Sequence, residues 1–301
     1  MDFAKGSVGS RKRRWLVRPA LRTTALPVLC AASPKERAKD NAPRPDKGPR
    51  RPAKRRQASA KKVWKVYVSG FHDWPATKDE AIGFNWWRCM RNPSGYLFIG
   101  EWYKGRSKPD PTRGLLPKRL KTITTTNDGC TIEWTFDTLP VEWNTITTVG
   151  LTQYDVVVNL GYGVYHSASK VRLENGAWNG RAEQADAAAK VPGKRRGPPK
   201  VIDPTAGKRL AAPKGTRDTI KATAGDFRVG TQTYTAEVAN ARQTNGYVCN
   251  ETHYLALQKV KATPGRPHRA VFIHIPKPAK DRGYPPLAAL LARIIEKLIQ
   301  P

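Results

Sequence analysis

An α/β fold is what this sequence predicts: a three-layer αβα sandwich around a mostly parallel, twisted sheet over residues 63–301, behind a disordered basic arm over residues 1–62. Three observations predict it. Apolar, β-rich runs alternate along the chain with stretches of helical spacing, the pattern of helices packed on a parallel sheet. The strongest run, YDVVVNLGYG at 154–163, leads apolar β-formers into Gly161 and Gly163. That is the composition of a central parallel strand whose C-terminal end opens at a site. The last segment, PPLAALLARIIEKLIQ at 285–300, has Pro near its first turn and apolar residues at helical spacing, which predicts an amphipathic helix.

The arm comes first. The 301 residues carry a net charge of +30, and residues 1–62 hold 19 Lys and Arg against 4 Asp and Glu. A quarter of the length thus holds half the charge, so arm and domain need separate explanations. Residues 33–62 are rich in Pro, Lys, Arg and Ala and contain no aromatic or β-branched residue. Such a segment cannot bury enough apolar area to offset its ordering entropy. Its charge fits nucleic acid or an anionic surface as partner, but a solubilising tail or an over-extended start is the preferred reading. No RRM, zinc-finger or homeodomain signature accompanies it.

Compartment follows from thiols and hydropathy. The chain holds four cysteines, Cys30, Cys89, Cys130 and Cys249, without CxxC spacing or a zinc-like pairing with histidine. This usage fits a reducing, cytoplasmic setting, and no metal or cofactor is expected. Residues 11–33 have a basic start and a weakly apolar end, but Arg18 and Arg22 interrupt the apolar stretch that an export signal needs. No run of 18 apolar residues exists, so no spanning helix is expected.

Within the domain, VWKVYVSGF (63–71) reads as a buried first strand ending at a Gly turn. EAIGFNWWRCMR (80–91) is expected to be helical, YLFIGEWYKG (96–105) a short strand or hairpin, and KPDPTRGLLPK (108–118) loop. TIEWTFDTLPVEW (131–143) is a strand that stops at Pro140. Residues 187–224, rich in Lys, Gly and Pro, read as a surface excursion. YVCNETHYLALQKV (247–260) is a turn leading into a helix, and RAVFIHIP (269–276) a buried strand stopped by Pro276.

Three residues in these elements have the chemistry of a nucleophilic site. Cys249 falls in the first turn of the expected helix, where backbone N–H groups and the macrodipole favour thiolate and can hold an oxyanion. The alternative is an ordinary buried cysteine. His274 lies between Ile273 and Ile275, on the opposite strand face from both. A buried imidazole there needs a partner, which is either a thiolate or a backbone carbonyl. Glu174, after the Gly-rich end of the central strand, can accept from the imidazole and orient it, or simply be solvated.

Six segments occur in order along the chain: VYVSGF, LPVEW, YDVVVNLG, RLENGAWN, GYVCNETHY and RAVFIHIP. In this set and order the chain resembles pyroglutamyl peptidase I, also called pyrrolidone-carboxylate peptidase. That family has a GFGPF-like turn, an LPV strand, a PDVVIHLG-like strand, an LERVAIN-like segment, a G-Y-x-C-N turn and an F-I-H-x-P strand. The resemblance covers residues 63–300 in fragments. It implies Cys249 as nucleophile, His274 as base, Glu174 as the acidic third member, and Phe71 with Trp74 flanking the pyroglutamyl ring. Core filling is the other reading of both aromatics. The chain departs from the family where His72 and Asp73 replace Gly-Pro, where Val164–Tyr165–His166 replaces a Gly-Gly-Arg-like stretch, and where GRAEQADAAAK lacks the family's Asp-Ala-Arg-Ile-Pro-Asp-Asn. Arg181 is the nearest counterpart of that arginine.

The implied activity is a cysteine omega-peptidase that removes an N-terminal pyroglutamyl, or similarly blocked, residue from peptides. A changed substrate on the same triad is one alternative. A non-enzymatic nucleic-acid-binding protein on a degenerate peptidase scaffold, acting through residues 1–62, is the other. A blocked peptide, nucleic acid or an anionic surface, and a second copy of the chain are the expected partners.

Overall fold

Runs of Val, Ile, Phe and Tyr set the centre of the sheet, because branched and aromatic side chains fit a pleated surface covered on both faces. A computed structural model describes residues 62–73, 92–100, 123–127, 130–164, 167–242, 246–278 and 284–299. Every element named below lies in the unit Ala58–Pro301. The arm expected over residues 1–62, apart from Lys62, lies outside the described residues, as do the expected helix at 80–91, the loop at 108–118 and Trp74.

The strands are β1 (Val63–Phe71), β2 (Ile123–Asn127), β3 (Cys130–Leu139), β4 (Val156–Val164), β5 (Lys170–Glu174), β6 (Gly176–Trp178), β7 (Arg209–Ala211), β8 (Gly225–Val229), β9 (Gln232–Ala239) and β10 (Arg269–Pro276). The helices are α1 (Pro93–Gly100), α2 (Lys214–Thr223), α3 (Val248–Ala262) and α4 (Tyr284–Ile299). Eight strands form one sheet in the order β2-β3-β1-β4-β10-β5-β9-β8, while β6 and β7 pair separately. The pairs β3/β1, β1/β4, β4/β10 and β5/β9 are parallel; β2/β3, β10/β5 and β8/β9 are antiparallel.

Two cores give the three layers. On one face Leu97 of α1, Ile220 of α2 and Leu290, Leu291 and Ile294 of α4 pack on Val66, Val68, Val158, Val271 and Ile273. On the other, Val248, Tyr254 and Leu257 of α3 pack on Tyr67, Phe71, Val157, Ala270 and Phe272. Strand alternation therefore sends Ile273 and Ile275 to the α4 side and leaves His274 on the α3 side, as the sequence predicts.

Two expectations need correction. Residues 96–105 do not start a strand or hairpin: Tyr96–Gly100 belong to α1. The helix starts because the Asn92 side-chain oxygen accepts from Ser94 N at 3.2 Å and Ser94 Oγ at 2.8 Å, with Pro93 at the first helical position. Asn as N-cap followed by Pro is a strong start signal, and a short apolar run alone does not distinguish helix from strand. Gly70 makes the docking of this helix feasible, since a Cβ there would meet Ser94 O at 2.1 Å. Residues 187–224 are not all surface excursion, because α2 buries Thr216, Thr219, Ile220 and Thr223. Its inward stripe is mostly threonine, so apolar spacing does not reveal it.

Leu291 is fully buried between α4 and the sheet. Its replacement, Leu291→Ala, is expected to lower unfolding stability by about 2–5 kcal/mol through lost transfer energy and the cavity left behind. Urea titration of the full chain checks this.

Candidate active site

The first turn of α3 is held from both sides. Asn250 Oδ1 accepts from Trp178 N at 2.7 Å, and its Nδ2 donates to Trp178 O at 2.8 Å and Gly180 O at 3.2 Å. The amide thus pairs with the end of β6 as another strand would. Next to it, Glu251 is fully buried and accepts from Arg181 Nε and, at 2.6 Å, from Asn144 N. Arg181 extends the tie, donating to Pro199 O at 2.8 Å, Val201 O at 3.2 Å and Asn144 Oδ1 at 3.1 Å. Asn144 sits at φ 62°, a left-handed conformation that Asn tolerates better than most residues. Burial pushes the Glu251 carboxyl up, and Arg181 opposes that shift. A carboxylate in this first turn also complements the helix macrodipole.

Cys249 directly precedes these anchors, as a free thiol. Beneath it the floor is glycine: a Cβ on Gly161 would come within 2.8 Å of Cys249 Sγ and 2.7 Å of the Phe272 ring. A Cβ on Gly163 would come within 2.4 Å of the His274 ring. The two glycines at the C-terminal end of β4 are therefore the clearance that lets sulfur and imidazole lie over the sheet. His274 pairs with Gly161 on one side and with Arg172 on the other, which makes Glu174 its diagonal neighbour on the same face. His274 Nδ1 and Glu174 Oε1 are 3.0 Å apart, both largely buried. The Phe272 ring packs beside the imidazole at 4.9 Å between centroids.

Cys249, His274, Glu174, Phe272, Asn250 and His253 line one cavity of about 10 Å³. Among the described residues no hydrogen bond joins Cys249 Sγ to His274. The sequence expects the helix start to depress the thiol, yet burial pushes it up to about 12. Its own backbone N–H opposes the shift, and the Glu174 charge adds to it. Although the residue keeps partial exposure, the resting thiol is thus neutral at physiological pH.

The other predicted residues fall elsewhere. Phe71 is 1 % exposed in the α3-side core and does not line the cavity. Asp73 Oδ1 accepts from Asn92 N at 2.8 Å, which ties the end of β1 to the start of α1. Arg181 is committed to Glu251 and braces the helix that carries Cys249. His253 is the residue that sequence reasoning missed. It follows Cys249 by four residues, so both lie on one helix face, and burial with the nearby His274 depresses it to about 3. Among the described residues no group of His, Cys, Asp or Glu side chains is placed to hold a metal ion, and no helix is long and apolar enough to cross a membrane.

No protein-family model matches this chain, and no curated protein does. Solved structures of pyrrolidone carboxyl peptidase from Pyrococcus furiosus do match. One mutant of that enzyme is 18 % identical with a TM-score of 0.52, covering 78 % of this chain and 98 % of its own. The structure reported with a cysteine-free mutant is 18 % identical at a TM-score of 0.51, with the same coverage. A further mutant is 16 % identical at 0.51, again over 78 % and 98 %. At these identities the likeness is one of fold: the domain has the α/β sandwich of these peptidases.

Two outcomes follow from the geometry. Arg181→Met leaves a buried carboxylate unpaired and is expected to cost about 3–5 kcal/mol, whereas pairing it with Glu251→Leu recovers most of the loss; thermal and urea unfolding of the single and double variants measure this. Because the Cys249 thiol titrates near 12, its thiolate fraction keeps growing well above the range of an ordinary cysteine. Iodoacetamide labelling, followed by mass spectrometry, is expected to accelerate about tenfold per pH unit without levelling off near pH 9, where an unperturbed thiol does.

Proposed function

We propose that residues 63–301 act as a cysteine omega-peptidase that removes an N-terminal pyroglutamyl, or similarly blocked, residue from peptides. Cys249 is the nucleophile in this reading, His274 the base and Glu174 the group that orients it. One observation carries the proposal: the three side chains line a single cavity at the C-terminal ends of β4 and β10, with His274 Nδ1 already engaged by Glu174. The peptidase fold and the ordered motifs support it.

Each group has a task in this reading. With Nδ1–H donated to Glu174, the lone pair of His274 sits on Nε2, the nitrogen available to a proton on sulfur. The resting thiol is neutral, so the proton moves when the acyl group arrives rather than beforehand. His274 Nε2 takes it as Cys249 Sγ attacks the carbonyl carbon. The oxygen that gains the electron pair faces the start of α3, where Val248 and Cys249 N–H groups have no intrahelical acceptor. His274 then protonates the leaving amine as the C–N bond breaks, and a thioester remains for water to hydrolyse. The aromatic wall that the resemblance assigns to the lactam rests in this proposal on Trp74, since the core encloses Phe71. A reducing, cytoplasmic compartment keeps the nucleophile free of disulfide.

Release of aminomethylcoumarin from its pyroglutamyl amide tests the reading. The full chain is expected to turn the substrate over, and Cys249→Ala to abolish turnover. Glu174→Gln is expected to lower kcat by about 10²-fold with little change in KM. A panel of other blocked aminoacyl amides then ranks the acyl group. A full chain that neither cleaves any of them nor forms a covalent adduct at Cys249 contradicts the proposal.

A further inference from the structure

His253 extends from the same face of α3 as Cys249, one helical turn further along. The residue is 1 % exposed. Neither nitrogen has a partner within hydrogen-bond geometry, although the Glu174 backbone carbonyl faces the ring and favours its charged form. Leaving buried polar atoms unpaired costs roughly 1–3 kcal/mol per group. The surrounding layer, with Ala256, Leu257 and Phe272 nearly or fully buried, accepts carbon readily. An imidazole here is therefore poorly explained by packing alone.

The ring borders the cavity of about 10 Å³ that Cys249, His274 and Glu174 also line. That volume approaches what one water molecule occupies, and a buried water is stable with two to four polar partners. His253, His274 and Cys249 all line it, and each carries a polar atom of the kind such a water needs. We propose that His253 is a further catalytic residue, one that holds the water which hydrolyses the Cys249 thioester.

This inference rests on the hydrolase reading above. In the step it describes, the water oxygen attacks the thioester carbonyl carbon while His274 Nε2 takes one water proton. Collapse of the tetrahedral intermediate expels Cys249 sulfur, which receives that proton from His274 and leaves a free carboxylic acid. His253 accepts a hydrogen bond from the other water O–H through its unprotonated nitrogen, and neither gains nor loses a proton. Burial suits it to this task, since it stays neutral far below the pH range of ordinary imidazoles.

Deacylation has its own kinetic signature. With the full chain and pyroglutamyl-aminomethylcoumarin, His253→Leu is expected to lower kcat about tenfold or more while kcat/KM stays within about twofold, because kcat/KM reports steps up to acylation. A burst of coumarin and an acyl-enzyme trapped by acid quench and intact mass measurement accompany the change. Hydroxylamine, which attacks the thioester without needing a held water, restores turnover in that variant. His253→Gln, which keeps a hydrogen-bonding group, is expected to accumulate less acyl-enzyme than His253→Leu, and it supplies the same reading relative to the unsubstituted chain if the leucine variant does not fold. Loss of kcat/KM without accumulation, or unchanged kcat, overturns the inference while leaving the hydrolase reading intact. A full chain that forms no acyl-enzyme overturns both.

Discussion

Everything at the site depends on how the first turn of α3 is fixed. Cys249 itself packs against the α3-side core. Its place is set by its neighbours, Asn250 through an amide that completes β6, and Glu251 through a buried pair with Arg181. Both anchors cost desolvation. A buried ion pair is a poor source of stability in general, and its value lies in admitting only one arrangement of the groups it joins. Here it joins the helix that carries Cys249 to residues 144 and 199–201, three separated parts of the chain in one network.

A second constraint acts from below. The sheet can carry sulfur and imidazole on its α3 face because Gly161 and Gly163 leave no Cβ where those groups lie. Antiparallel pairing of β5 with β10 then brings Glu174 diagonally against His274. The parallel strands deliver the histidine and the glycines to the same end of the sheet, where crossover connections leave a crevice. The pinned helix, the glycine floor and the antiparallel β5–β10 pairing bring together residues up to a hundred positions apart in sequence.

Much of this was legible in the sequence for physical reasons. Strongly apolar runs dominated by β-branched residues, such as VVVNL and AVFIHI, point to buried strands, and the polar ring within IHI marks itself by interrupting one of them. The motif order added the fold. What escaped reading had weaker local signals. Helix α1 hides behind an apolar run that suits either element, and its Asn92–Pro93 start matters only once helix and strand are both considered. Helix α2 turns threonines inward, so its stripe is invisible to hydropathy. The thiol's acidity depends on burial against the macrodipole, a balance between tertiary and local effects that spacing cannot weigh. His253 carried a readable clue in its four-residue separation from Cys249, but its isolation from hydrogen-bond partners is a property of the packed core alone.

The central claim is that Cys249 and His274 act as one unit on an acyl group held over Gly161. The most direct measurement is a crystal structure of the full chain treated with a pyroglutamyl aldehyde, which mimics the tetrahedral intermediate without a leaving group. The account predicts a covalent hemithioacetal at Cys249 Sγ, its oxygen at the N–H groups opening α3 and His274 Nε2 turned toward the sulfur. An aldehyde bound without a bond to Cys249, or an imidazole directed away from the adduct, would contradict it.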